Sequence, residues 1–93
     1  MTNKRFANVW DAIEDSPEQA ENMKLRSELI VALKAHLARS KLTQGQIATL
    51  FGVTQPRVSD LMRGKINLFA LDALVNMAVA AGLRVKLSLR KAA

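Results

Sequence analysis

Apolar residues recur every three or four positions along most of the chain, which is the spacing of helices that bury one face. The first such stripe consists of Phe6, Val9, Trp10 and Ile13. It predicts a short amphipathic helix near the start of the chain. A longer second helix is predicted to begin after Ser16, because the serine hydroxyl can cap it and Pro17 fits the first helical position.

The segment from residue 43 to residue 64 predicts two short helices joined by a tight turn. Thr43 and Thr54 can each cap one of them. Ala48 is small enough for the helices to cross closely, and Gly52 allows the positive φ of a sharp turn. The apolar positions that would hold the pair together are Ile47, Phe51, Val53, Val58, Leu61 and Met62. This pattern is typical of a helix-turn-helix.

A fifth helix is predicted to open at Asn67 or Leu68 and to end at Gly82. Its expected core side consists of Leu71, Leu74, Val75, Ala78 and Val79. With the helices before it, this helix makes the predicted fold mostly α.

Residues 83–90 alternate strictly between apolar and polar, which is the period of a strand. The apolar side consists of Leu83, Val85, Leu87 and Leu89. No other segment of the sequence predicts a strand, and a lone strand leaves its backbone groups unpaired. We therefore expect it to pair with its own copy across a two-fold homodimer. Pairing with a different protein, or a frayed tail, are the alternatives.

The charge of the chain is concentrated in its second part. The 93 residues fit a single domain and carry a net charge of +6. Residues 1–33 hold four bases and six acids, a net charge of −2, whereas residues 34–93 hold ten bases and two acids, a net charge of +8. A basic excess around a helix-turn-helix favours a phosphate-binding surface. The alternative is that these bases only keep a small domain soluble.

The second helix of the motif carries the predicted contacts to bases, since its N-terminal residues would face the major groove. At its leading end lie Thr54 and Gln55, and the glutamine amide can pair with adenine. Pro56 can contact a thymine methyl group, and Arg57 can donate to guanine.

A second group of residues is predicted to hold phosphates. Gln44 begins the first helix of the motif, where free backbone N–H groups favour an anion. The remaining members are Ser59, Arg63, Lys65 and Asn67. Asp60 can accept from cytosine, but we favour a bracing ion pair with Arg57 or Arg63.

The sequence gives no basis for catalysis, a cofactor or a metal site. It has no cysteine, and its single histidine, His36, has no second ligand near it in sequence and is interpreted as a surface or edge residue. It also has no glycine-rich phosphate loop and no nucleophile beside a base. No apolar run is long enough to cross a bilayer, and the N-terminus lacks a signal-peptide core. We therefore expect a cytoplasmic protein that is not an enzyme.

Thr43 to Gly64 resembles the Cro/cI-type (XRE) helix-turn-helix. The resemblance lies in Gln44, Ala48, Gly52-Val53, Gln55, Val58, Leu61 and the Arg-Gly-Lys sequence that follows. The flanking segments NVWDAIED, ENMKLRSEL and NLFALDALVNMA are similar to small single-domain XRE regulators of the antitoxin type. This resemblance implies a five-helix, lambda-repressor-like domain that binds palindromic operators as a dimer. Antitoxins of this type also bind a RelE-like ribonuclease toxin and repress their own operon.

The predicted function is therefore that of a sequence-specific transcriptional regulator, most simply a repressor that excludes other proteins from a promoter. Two alternatives stay open. The first is an interaction protein whose main task is to bind a RelE-like toxin. The second is a nucleoid or RNA binder without sequence preference.

Overall fold

The computed structural model of the chain describes residues 16–92, which are mostly α-helical. In this range there are four α-helices: α1 (Pro17–Ser40), α2 (Gln44–Phe51), α3 (Gln55–Met62) and α4 (Leu71–Ala80). A short 3-10 helix, Ile66–Leu68, precedes α4. The helix predicted at Phe6 to Ile13 lies outside the described residues, so the predicted five helices are not all found here.

Helix α1 begins where the sequence predicts. The Ser16 hydroxyl oxygen accepts from the backbone N–H of Gln19 at 3.3 Å, and Pro17 stands in the first turn. The same hydroxyl donates to the Glu18 carboxylate at 2.8 Å, and this bond lowers the pKa of Glu18 below its ordinary value. The helix ends at Ser40, and the φ of 63° at the following residue, Lys41, turns the chain toward α2.

The α2–α3 pair forms a helix-turn-helix, as the sequence predicts. Thr43 and Gln46 make a reciprocal capping box, with N–O distances of 2.8 and 3.1 Å. Gly52 ends α2 at a φ of 70°, and the Thr54 hydroxyl caps α3 by accepting from the backbone N–H of Arg57. The predicted turn glycine and both threonine caps are confirmed.

The segment before α4 differs from the prediction. The sequence predicts a helix from Asn67 or Leu68, but the α-helix begins only at Leu71. The reason is Phe69, which adopts an extended conformation and inserts its ring into the core with 0% of its surface exposed. Gly82 follows the end of α4 at a φ of 86°, so the predicted C-terminal stop is confirmed.

The core lies where α1 crosses the helix-turn-helix and α4. Its members are Ile30, Leu33, Leu37, Ile47, Ala48, Val58, Leu61, Phe69, Leu74, Met77 and Ala78. No polar or charged residue among the described ones is buried. Val79, predicted on the core side of α4, is instead 61% exposed, because the buried side of the helix passes through Leu74, Met77 and Ala78.

Residues 83–90 form no strand in this single chain. The Leu83 N–H donates to the Ala78 carbonyl at 2.9 Å, and Leu83 packs against the core. A strand requires a hydrogen-bonded neighbour, and the other described residues supply none. None of the described helices is long and apolar enough to cross a membrane.

Candidate nucleic-acid interface

Helix α3 has one buried side and one exposed side. Val58 and Leu61 point into the core, while Gln55 and Pro56 are exposed on the helix surface and Arg63 is exposed directly after the helix. Arg57 and Ser59 are half-buried at its edges. The other predicted contacts, which lie outside α3, are all exposed: Gln44, Thr54, Lys65 and Asn67.

Gln55 lies over the first turn of α2. A Cβ atom added to Gly45 would stand 2.7 Å from the Gln55 side-chain nitrogen, which is closer than real Cβ contacts. Gly45 therefore leaves the space that the Gln55 amide occupies. The sequence alone does not predict this role of Gly45; its only signal is a glycine in the first turn of a short helix.

Arg57 is already engaged within the protein. Its guanidinium donates to the Leu68 carbonyl at 2.6 Å, and its central carbon lies 4.1 Å from the centre of the Phe69 ring. These contacts connect α3 with the 3-10 helix. The predicted contact of Arg57 with guanine stays a prediction, in competition with these two contacts.

Asp60 pairs with Lys65 rather than with Arg57 or Arg63. The Lys65 ammonium lies 3.3 Å from the Asp60 carboxylate, and the backbone N–H of Lys65 donates to the Asp60 carbonyl. The predicted ion pair of Asp60 with Arg57 or Arg63 is therefore wrong, because Asp60 pairs with Lys65. The chain folds back after Gly64, which has a φ of 73°, and this brings Lys65 to the acid. Such a half-exposed pair contributes little stability and leaves Lys65 accessible to other anions.

A further cation lies near the end of α3. The Lys34 ammonium, which comes from α1, is 4.0 Å from the position of a Cβ on Gly64. Lys34 extends the positive charge of Arg63 and Lys65 around the C-terminal end of α3. In the sequence, Lys34 contributes only to the net charge, because nothing there predicts that α1 passes close to Gly64.

The described residues contain no cluster of histidine, cysteine, aspartate or glutamate side chains that could hold a metal ion. His36 instead joins two helices. Its Nε2 lies 3.0 Å from the Ala81 carbonyl oxygen, so the ring N–H donates across the α1–α4 contact.

The C-terminal segment borders an open apolar groove of about 530 Å³. Leu25 and Leu29 of α1 form one wall, Val75 of α4 lies beside them, and Val85 and Leu87 close it from the tail. Leu87 and Leu89 are 82% and 91% exposed. Among the predicted dimerisation residues, only Leu83 packs on the core of its own chain.

Residues 12–90 match a family described as a helix-turn-helix domain. The chain also resembles a solved structure of a protein assigned to the XRE family of transcriptional regulators. The TM-score is 0.73 and the identity is 32%, over 78% of this chain and 82% of that one. The chain belongs to the XRE family of helix-turn-helix regulators.

This XRE-type regulator is thus a DNA-binding transcriptional regulator, as the motif predicts. This family suggests a DNA-binding protein rather than an enzyme. No functionally curated protein is significantly similar to the chain.

Proposed function

We propose that this protein is a sequence-specific repressor that binds a palindromic operator as a homodimer. The observation that carries the proposal is the two-sided character of α3, with Val58 and Leu61 fixed in the core and Gln55, Pro56 and Arg63 free on the surface. A helix held in this way can enter the major groove without rearranging its own support. A repressor acts at the chromosome, so the proposal includes a cytoplasmic location.

The proposed contacts divide into two sets. Gln55 and Pro56 face the bases from the leading end of α3, beside the hydroxyl cap of Thr54. The residues proposed to contact the DNA backbone are Gln44, Ser59, Arg63, Lys65 and Asn67. Phosphate contacts fix the register, whereas base contacts discriminate between sequences. Arg57 belongs to neither set, because its guanidinium has partners within the protein.

The proposed dimer forms through residues 83–90. Within the described residues, Leu83 is the last whose backbone N–H donates to another backbone group. The backbone groups after it are therefore available to a second copy. The exposed row of Val85, Leu87 and Leu89 would face its counterpart across the two-fold axis. Such a dimer would match the symmetry of a palindromic operator.

Selection of duplexes from a random-sequence pool by the purified protein tests this proposal. We expect inverted half-sites whose centres lie about one helical turn apart. The selected duplex should bind at least about 1,000-fold more tightly than a scrambled duplex at physiological salt. Equal affinity for both duplexes would contradict the proposal and favour binding without sequence preference.

A second candidate function is that of an autoregulating antitoxin. The open groove beside Leu25, Leu29 and Val75 favours it, because exposed apolar surface of this kind suits a protein partner. If a neighbouring gene encodes a RelE-like ribonuclease, co-expression with this chain should relieve growth arrest. Changing Leu29 to Lys should then reduce the relief. Growth arrest that persists with the unsubstituted chain would exclude this candidate.

A further inference from the structure

Two arginines from different helices bind neighbouring carbonyl groups at the end of the 3-10 helix. Arg57 of α3 donates to the Leu68 carbonyl at 2.6 Å, and Arg26 of α1 donates to the Phe69 carbonyl at 3.3 Å. The Arg57 guanidinium also lies over the buried Phe69 ring, 4.1 Å from its centre. The end of this turn is thus held from two sides.

The segment fixed in this way carries two of the proposed phosphate contacts. Lys65 and Asn67 are exposed on the loop that Leu68 and Phe69 anchor. The backbone N–H groups of Ile66, Leu68 and Phe69 bond only to carbonyls two or three residues earlier. No side chain caps the 3-10 helix. Contacts with Asp60 hold the start of the loop to α3, at Lys65, and the arginine contacts hold its end, at Leu68 and Phe69.

We propose that Arg57 is a positioning residue, which fixes the Lys65–Leu68 loop beside α3 so that Lys65 and Asn67 reach the DNA backbone. This inference rests on the proposed DNA-binding mode. To pair with guanine instead, Arg57 would have to present two N–H groups to the groove, in competition with the Leu68 carbonyl and the Phe69 ring. A planar guanidinium can stack on a ring and donate at its edge at the same time, which lysine cannot do.

Hydrogen exchange of the free protein gives the first test. Changing Arg57 to Lys keeps the charge but removes the planar contact. We expect amide exchange at Ile66, Leu68 and Phe69 to accelerate at least about 10-fold, with exchange at Ile47 in α2 unchanged. Arg26→Lys should produce the same local effect, because it releases the other carbonyl. Unchanged exchange in the loop of both variants would overturn the proposal.

DNA binding gives the second test, with the duplex selected by the unsubstituted protein and a scrambled duplex as probes. Changing Arg57 to Met should weaken both by a similar factor, about three- to tenfold, and leave the preference at every base pair unchanged. In the double variant, the loss of DNA affinity should be smaller than the product of the losses in Arg57→Met and Lys65→Ala. The reason is that both changes affect the same contacts with the DNA backbone. Arg39→Met, an equal charge change at an exposed position of α1, is the control and should have little effect.

A variant that loses discrimination at one base pair only would overturn the proposal and identify Arg57 as a base reader. Losses of Arg57→Met and Lys65→Ala that multiply would also overturn it, because Arg57 would then contact a phosphate independently. If Arg57→Met does not fold, the same comparisons are made with Arg57→Lys. If the unsubstituted protein selects no duplex, the proposed function fails, while the exchange experiment still decides whether Arg57 holds the loop.

Discussion

Single residues set the fine geometry of the surface that is proposed to face DNA. Gly45 leaves space for the Gln55 amide, and Arg57 connects α3 with the turn at Leu68. Neither residue contributes to the motif by hydrophobicity. Both act through close contacts that the local sequence does not encode.

At the residue scale, Gly45→Ala should weaken sequence recognition without lowering the stability of the fold. Alanine favours the helix by up to about 1 kcal/mol, so the free energy of unfolding in urea should stay the same or rise. The added Cβ would stand 2.7 Å from the Gln55 nitrogen, so that flexible side chain must move. We expect the preference at the base pair that Gln55 is proposed to contact to fall, as we also expect for Gln55→Ala. Full preference in Gly45→Ala would contradict the proposed role of Gln55.

Helices form where capping groups and turn residues coincide in the sequence. The start of α1, both threonine caps of the helix-turn-helix and the turn at Gly52 were all predictable for this reason. The start of α4 was not, because Phe69 leaves the helical path to fill the core. Insertion of one aromatic ring depends on the whole tertiary structure, whereas capping depends on three or four neighbouring residues.

At the scale of the element, Thr43→Val should destabilise the domain by about 1 kcal/mol. The change removes the hydroxyl that accepts from the backbone N–H of Gln46. Thr49→Val is the matched control in the same helix. Its hydroxyl donates only to the Gly45 carbonyl at 3.2 Å, which α2 does not require for capping. Equal losses of unfolding free energy in the two variants would show that the cap contributes nothing.

For the site, the sequence was sufficient to identify the exposed side of α3, because helical periodicity separates Val58 and Leu61 from Gln55 and Arg63. The sequence was insufficient to predict side-chain contacts between different structural elements. The pairing of Asp60 with Lys65 follows from the fold-back at Gly64, and the approach of Lys34 follows from how α1 crosses α3. These distances depend on packing angles rather than on sequence spacing.

At the scale of the whole molecule, the described residues form two surfaces of different chemical character. The helix-turn-helix presents polar and basic side chains, whereas the tail and the adjoining groove present Val85, Leu87 and Leu89. The alternation of residues 83–90 was recognisable in the sequence. The described residues of a single chain offer this segment no strand partner, so the predicted pairing requires a second chain.

At the scale of the whole molecule, Leu87→Lys should convert the proposed dimer to a monomer. Leu87 is 82% exposed, so the change should leave the fold and its thermal unfolding nearly unaltered. The added charges would face each other across the two-fold axis and repel. Sedimentation velocity measures the oligomeric state, and binding to the selected duplex should weaken in parallel.

Val31→Lys is the matched control for this experiment, since Val31 is 64% exposed on α1 and does not line the groove. It should sediment like the unsubstituted protein. A dimer that persists in Leu87→Lys would show that the tail is not the interface.

Helix α4 begins without a side-chain cap, so the stability of the protein can be increased there. Ala70 stands at the N-cap with extended backbone angles, and its side chain makes no hydrogen bond to the helix. Replacing Ala70 with Ser or Asp should add about 1 kcal/mol and raise the melting temperature by roughly 4–8 °C, measurable by calorimetry. An unaltered melting temperature would mean that water already satisfies those amides. A higher melting temperature would give a more stable domain, which tolerates destabilising substitutions at other positions.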